Sequence, residues 1–240
     1  MTPERFARLK AAIERRQPDL TVLCEDVHKG HNISAILRSC DAVGIGRLHA
    51  VSPGGEWRRY RGISGGSHKW VESHDHPSIM AAAEYLHNHD YHIVAAHFSE
   101  AAIDYRDWDF TRPTALLLGA ERLGVGQAAA ALADAHIIIP MRGLVASLNV
   151  SVAAAVILYE AARQREAAGF YAHPRLDAEI RRRLLFEWSY PAVARHCQVH
   201  GLPYPALDAE GFIARRELAA SLRRHRRQAR KARRISGAGS

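Results

Sequence analysis

The chain has 240 residues, 48% hydrophobic and 24% charged, a mix that suits one or two globular domains with a substantial core. No apolar run is long enough to cross a bilayer. Cys24, Cys40 and Cys197 are odd in number and lack zinc spacing, which predicts free thiols in a reducing cytoplasm rather than a disulfide scaffold. The net charge of +8 is concentrated near one end: residues 215–234 hold ten of the 33 Lys and Arg and one of the 25 acids, leaving 23 basic against 24 acidic residues elsewhere. A near-neutral body with such a tail suits a polyanionic partner, because Lys and Arg release counterions condensed on a phosphate backbone. A solvated tail that only aids solubility is the plainer alternative.

The N-terminal MTPERFARLKAAIERRQ has no apolar core of the kind a secretory signal needs. Residues 2–16 read as a helix, with Phe6, Leu9 and Ile13 on one face and Arg5, Arg8, Arg15 and Arg16 elsewhere. LTVLCEDV (20–27) is a strand. From Asn32 the period changes: Ile33, Ile36, Leu37, Cys40 and Val43 recur at helical spacing, with Asn32 or Ser34 as N-cap and Gly44 and Gly46 as the stop. LHAVS (48–52) is the next strand, followed by a Gly-rich basic loop that carries Arg58, Arg59 and Arg61. A strand near Trp70–Ser73, a helix near Ile79–Asn88 and a strand at 91–97 come next. TALLLG (114–119) and HIIIP (136–140) are further strands, separated by a turn and a short helix. Val150–Gln164 reads as a strongly amphipathic helix. Residues 177–200 are helical with a break at Pro191, and GLPYPAL (201–207) is a Pro-rich extended piece. Strands alternating with helices predict an α/β fold with a mostly parallel sheet covered on both faces.

Several common sites are excluded. Gly44-Ile-Gly46 follows a helix and precedes a strand, the reverse of a dinucleotide fingerprint. No phosphate-binding G-x-x-x-x-G-K-[ST] occurs. His74-Asp-His76 and His87-Asn-His-Asp90 have ligand-like spacing, but fifteen histidines make such coincidences common, and no metal is expected. Three polar clusters remain: His31-Asn32-Ile-Ser34 with Arg38, Gly119-Ala-Glu121-Arg-Leu-Gly124, and Ile139-Pro-Met-Arg-Gly143 through Ser147-Leu-Asn149. The second and third each follow an apolar strand. Ligands of α/β sheets bind beyond the carboxyl ends of strands, so these two are expected to face one crevice.

The three clusters, in this order, resemble the three motifs of the SpoU class of RNA 2′-O-ribose methyltransferases. HNISAILRSCDAVGI matches the first, LLLGAERLGVG the second and IIIPMRGLVASLNVSVAAAVILYE the third. The resemblance implies a SPOUT-type fold, a mostly parallel sheet with a C-terminal deep trefoil knot and terminal helices. It implies an N-terminal helix (1–17), a methyltransferase domain (18–168), a C-terminal helical extension (169–212) and a basic tail (213–240) that falls outside the pattern. S-adenosylmethionine is the implied methyl donor and a tRNA ribose 2′-hydroxyl in the D-loop the implied acceptor. No metal is required, and a homodimer is implied. Another RNA, such as ribosomal RNA, or a non-catalytic RNA-binding role are the alternatives.

By the same resemblance Arg38 acts on the 2′-hydroxyl, with Asn32, Glu121, Ser147 and Asn149 as catalytic partners, and Ala96, Gly119, Ile139 and Leu148 line the cofactor. Each has a plainer reading. Arg38 could pair with Asp41 at i+3, Glu121 could balance Arg122, and Asn32, Ser147 and Asn149 could be helix caps. A guanidinium is a donor only and stays charged, so Arg38 either loses a proton in an unusual site or orients the hydroxyl and a phosphate. Arg5, Arg8, Arg15, Arg16, Arg58, Arg59, Arg61, Arg163 and Arg165 are candidate tRNA-phosphate contacts, which position a nucleic acid rather than read its bases.

Overall fold

Strands that lie inside a parallel sheet have both faces covered, so they read as continuous Leu, Val, Ile and Ala rather than as alternating patterns. In the computed structural model, which describes residues 1–52 and 69–213, such runs form the middle of the sheet. Arg58, Arg59, Arg61 and the basic tail lie outside the described residues. In chain order the elements are α1 (Pro3–Glu14), β1 (Leu20–Glu25), α2 (Gly30–Ala42), β2 (Arg47–Val51), β3 (Glu72–His76), α3 (Ile79–His87), β4 (His92–Ala96), β5 (Ile103–Asp104), β6 (Thr114–Leu118), α4 (Gln127–Ala131), β7 (Ala135–Ile138), α5 (Val150–Ala167), α6 (Ala178–Ser189) and α7 (Pro191–Val199). Arg15–Leu176 make one compact unit and Met1–Glu14 with Asp177 onward a second.

In the larger unit the seven strands run in the order β3-β2-β1-β6-β4-β7-β5. The pairings are parallel, with Cys24 opposite Leu118 and Val94 opposite Leu116. Alternate residues go to opposite faces. Val22, Cys24, Leu116 and Leu118 pack against Ile33, Ile36, Leu37 and Cys40 of α2 and Ala154, Ile157, Leu158 and Ala161 of α5. Leu23, Ala95, Ala115 and Leu117 pack against Ala82, Ala83 and Leu86 of α3 and Ala129 and Ala130 of α4. Full burial of a Leu or Ile side chain is worth about 1.5–3 kcal/mol, so this two-sided core is what holds the carboxyl ends of β4, β6 and β7 in place.

The smaller unit follows the sequence closely. Pro191 opens α7 at a position where a missing N–H costs nothing, so the helical stretch breaks at Tyr190. Phe186 is buried and stacks on Tyr204, with ring centroids 4.7 Å apart. The end of α2 also forms as expected. Gly44 takes φ +86°, and the Ile45 N–H reaches back to the Cys40 carbonyl at 2.9 Å.

Other expectations change. α2 begins at Gly30, with Lys29 as its N-cap and no side-chain cap bond, so neither Asn32 nor Ser34 caps it. β3 lies at Glu72–His76, later than expected, because an edge strand with polar residues has no apolar run to mark it. The two-residue β5 at the other edge has no sequence signature. α5 forms, but it is not one-sided: Val152 and Tyr159 are exposed opposite the buried Ala154, Ile157, Leu158 and Ala161.

Two arginines expected to meet RNA are instead inside the larger unit. Arg165 is 0% exposed. Its five N–H groups are all used, on Phe110 O (2.8 Å), Gln17 Oε1 (3.1 Å), Asp19 Oδ1 (2.7 Å), Asp19 O (3.1 Å) and Arg112 O (3.3 Å). Arg16 is buried too, donating to Ile45 O at 2.7 Å and to Asp41 Oδ1 at 2.6 Å. A buried charge persists only when paired and hydrogen-bonded, and both arginines meet that condition with protein groups. Neither is available to a phosphate.

Candidate active site

The loop after β6 is forced into a tight turn by two glycines. A Cβ on Gly119 would lie 2.1 Å from the Gly124 carbonyl, so only glycine fits there. Gly124 has φ +69°, and its N–H bonds the Ala120 carbonyl at 2.8 Å. Between them stands Glu121, whose side chain is only 6% exposed. Its Oε1 accepts from Asn32 Nδ2 at 2.9 Å and from the Lys29 N–H at 3.1 Å. Burial pushes this carboxyl up, but the bonds from Asn32 and Lys29 and the nearby His28 outweigh it and hold Glu121 below its usual value. Glu121 is therefore an anion at neutral pH, and an acceptor only.

That fixes the direction of a longer chain of hydrogen bonds. Asn32 must present its NH₂ to Glu121, so its Oδ1 faces the other way. There it accepts from Asn149 Nδ2 at 3.2 Å. Asn149 caps α5, its Oδ1 accepting from the Ser151 N–H at 2.9 Å and from Ser151 Oγ at 2.6 Å. Donation thus runs from the start of α5 through Asn149 and Asn32 to the carboxylate. Asn32 and Glu121 are 89 residues apart, and Asn149 and Asn32 are 117 apart, so the fold brings all three motifs to one network.

Beside it lies a cavity of about 450 Å³ at the carboxyl ends of β4, β6 and β7. Ala96, Gly119, Ile139 and Leu148 all line it, as do Glu121 and Ser147. The size suits a nucleoside-like ligand, and apolar walls broken by main-chain polar groups suit an adenine ring. Arg38 is exposed on α2 and makes no hydrogen bond or ion pair among the described residues. Asp41, its plainer partner, is taken by Arg16. Glu121 bonds Asn32 rather than balancing Arg122, and Ser147 is not a cap. Ser151, Lys29 and His28 also belong to the site. Ser151 carried a signal, its place two residues after Asn149; Lys29 acts through a backbone N–H and carried none. Of the other candidate RNA contacts, Arg5, Arg8 and Arg15 are exposed, and Arg163 is exposed but paired with Glu160 at 2.7 Å.

A parallel sheet with a glycine-shaped cavity at its strand ends, bordered by an Asn–Asn–Glu network from three separated motifs, defines a class of proteins. The chain belongs to the SpoU rRNA methylase family: residues 19–159 match that family's model, and residues 163–216 match the model of the SpoU rRNA methylase C-terminal region. Among its relatives, the tRNA (guanosine(18)-2′-O)-methyltransferase of Escherichia coli (strain K12) is 49% identical over 215 residues, covering 89% of this chain and 94% of the relative. The crystal structure of the A. aeolicus TrmH/SpoU tRNA modifying enzyme superposes with a TM-score of 0.73 at 41% identity, covering 79% of this chain and 97% of that one. The SpoU methyltransferase AviRb from Streptomyces viridochromogenes, solved in complex with the cofactor AdoMet, has a TM-score of 0.57 at 31% identity, with 64% of each chain covered.

Proposed function

We propose that this chain transfers a methyl group from S-adenosylmethionine to the ribose 2′-hydroxyl of guanosine-18 in the tRNA D-loop. The observation that carries the reading is the Glu121–Asn32–Asn149 network at the rim of a cavity lined by Ala96, Gly119, Ile139 and Leu148. The high identity to tRNA (guanosine(18)-2′-O)-methyltransferases supports the choice of substrate. S-adenosylmethionine, when bound, supplies a methyl group already activated on a sulfonium, so no metal is needed. Ala96, Gly119, Ile139 and Leu148 hold the cofactor, largely through main-chain groups, and shield it from water.

The work left to the protein is alignment, from which much of the rate of such a transfer comes. Arg38 meets the acceptor ribose. As a permanent donor it orients the 2′-hydroxyl and the adjacent phosphate and stabilises the negative charge left on that oxygen as its proton passes to solvent. Asn32, held from both ends, keeps the first motif in fixed relation to the third. Ser147, on the cavity wall, and Asn149, at the head of α5, complete the reacting surface. Arg5, Arg8, Arg15 and Arg163 hold tRNA phosphates, together with Arg58, Arg59 and Arg61.

The proposal extends to a homodimer whose chains carry the trefoil knot. Leu123, Leu144, Val145, Val152 and Tyr159 are exposed apolar side chains of one unit, and such residues support an interface when they are contiguous. A tRNA substrate supports a cytoplasmic location. Separately, no helix among the described residues is long and apolar enough to cross a membrane. The test is transfer of labelled methyl from the cofactor to unmodified tRNA and, separately, to ribosomal RNA. Label in tRNA that maps to guanosine-18 is expected. Label in ribosomal RNA alone moves the substrate while keeping the chemistry, and label in neither defeats the enzyme reading.

A further inference from the structure

We propose that His28 is a positioning residue of the transfer site: its Nδ1–H donates to the Glu121 carboxylate and fixes the orientation of the Glu121–Asn32–Asn149 chain. This rests on the reading of the site as a methyl-transfer centre. The observation behind it is an imbalance within one carboxylate. Oε1 of Glu121 accepts two hydrogen bonds. Oε2 is sealed from solvent and, among the described residues, has no hydrogen-bond donor. Buried polar atoms are almost always paired, and an anionic oxygen is the costliest to leave alone. Among the described residues, the titratable group at ion-pair distance from Oε2 is His28, whose Nδ1 lies 3.4 Å away.

The surroundings of that nitrogen decide where its proton sits. Nδ1 is also 3.0 Å from the Asp26 carbonyl. Asp26 has φ +52°, a left-handed conformation that Asp tolerates better than most residues. Two oxygens, both acceptors, therefore face Nδ1. With the hydrogen on Nε2, a lone pair would point at both. The geometry requires Nδ1–H, with Nε2 left to solvent on a side chain that is 56% exposed. A small rotation of the ring then turns the N–H from the Asp26 carbonyl toward Oε2. This anchors the second oxygen of Glu121 while Asn32 and Lys29 anchor the first. With both oxygens held, the carboxylate has one orientation, and so do Asn32 and Asn149 behind it.

Two measurements test this. Long-range ¹H–¹⁵N correlation spectra of the full chain, recorded where the imidazole is neutral, are expected to find His28 in the Nδ1–H form. Finding Nε2–H overturns the proposal whether or not the protein methylates RNA. The second is steady-state methyl transfer by His28→Leu and by His28→Asn, whose amide nitrogen occupies nearly the place of Nδ1. His28→Leu is expected to lower kcat about 10- to 100-fold, the effect of losing one hydrogen bond to a charged group, with KM for tRNA and cofactor unchanged. His28→Asn is expected to recover most of that loss. Equal losses in both variants, or a rise in KM with kcat preserved, overturn the positioning role. A His28→Leu chain that does not fold leaves the tautomer and His28→Asn to decide. A wild-type chain that transfers no methyl group defeats the enzyme reading and the positioning role with it, while the tautomer still reports whether the His28–Glu121 bond exists.

Discussion

Arg38 stands on the buried-faced helix α2 yet reaches solvent, and the acid one turn away from it is occupied by Arg16. A charged side chain with no partner among the described residues contributes little to folding, since surface substitutions usually change stability by less than about 0.5 kcal/mol. Its exposure on the helix that also carries Asn32 leaves it free to meet a substrate. Arg38→Ala is expected to leave the thermal midpoint unchanged and to cut methyl transfer by about 10²-fold or more, the range of a lost transition-state donor. A variant that keeps its rate removes Arg38 from the mechanism; one that melts early assigns it a structural role. Asn32 shows the opposite balance. At 1% exposure it is as buried as the leucines around it, and it is tolerated there because both ends of its amide are bonded.

At the scale of elements, the loop after β6 and the buried Arg165 make the clearest predictions. Gly119→Ala forces a methyl group onto the Gly124 carbonyl. The loop must move, and Glu121 moves with it. Loss of cofactor binding by calorimetry, together with a stability loss of about 1–3 kcal/mol from overpacking, is expected; unchanged cofactor affinity contradicts the cavity assignment. Arg165→Ala is expected to cost about 3–5 kcal/mol in urea unfolding, as breaking a buried pair does, and not to act through tRNA affinity. The partner Asp19 adds a pH signature. Burial raises its pKa, but hydrogen bonds from Arg175 and Arg165 lower it further than burial raises it. A lowered folded value means this stability is complete above the unfolded value of about 3.9 and is lost as pH falls through the folded one. The urea midpoint should therefore drop below about pH 4, and Arg175→Ala should flatten that drop.

The same elements mark how far the sequence could be read. The strands 20–25, 92–96 and 114–118 and the Gly44 helix stop follow from local apolar runs and backbone freedom, so they were legible. The edge strand β5 was not, and β3 was expected a few residues too early, because pairing with a neighbour rather than apolar content makes them strands. Asn32 read as a cap because the local pattern allows it; its partners lie 89 and 117 residues away. Arg165 read as a surface cation for the same reason, its pair Asp19 being 146 residues distant. That Ala96, Gly119, Ile139 and Leu148 line one cavity was legible only through family resemblance, since nothing local distinguishes those residues from core.

For the molecule as a whole, the charge distribution and the family assignment support one account. The family models cover residues 19–159 and 163–216, and residues 215–234 carry +9 against −1 for the rest of the chain. If those residues neutralise tRNA phosphates, truncation after Ile213 weakens tRNA binding and flattens the dependence of affinity on salt, because each phosphate contact contributes to that slope. Equal affinity and equal slope with and without the tail limit it to solubility. The central claim is narrower: the acceptor is a single ribose hydroxyl. It is tested most directly with a tRNA transcript carrying 2′-deoxyguanosine at position 18 and no other change. Transfer from labelled S-adenosylmethionine is predicted to fall to background while the unsubstituted transcript is methylated. Continued labelling of the deoxy substrate would contradict the account.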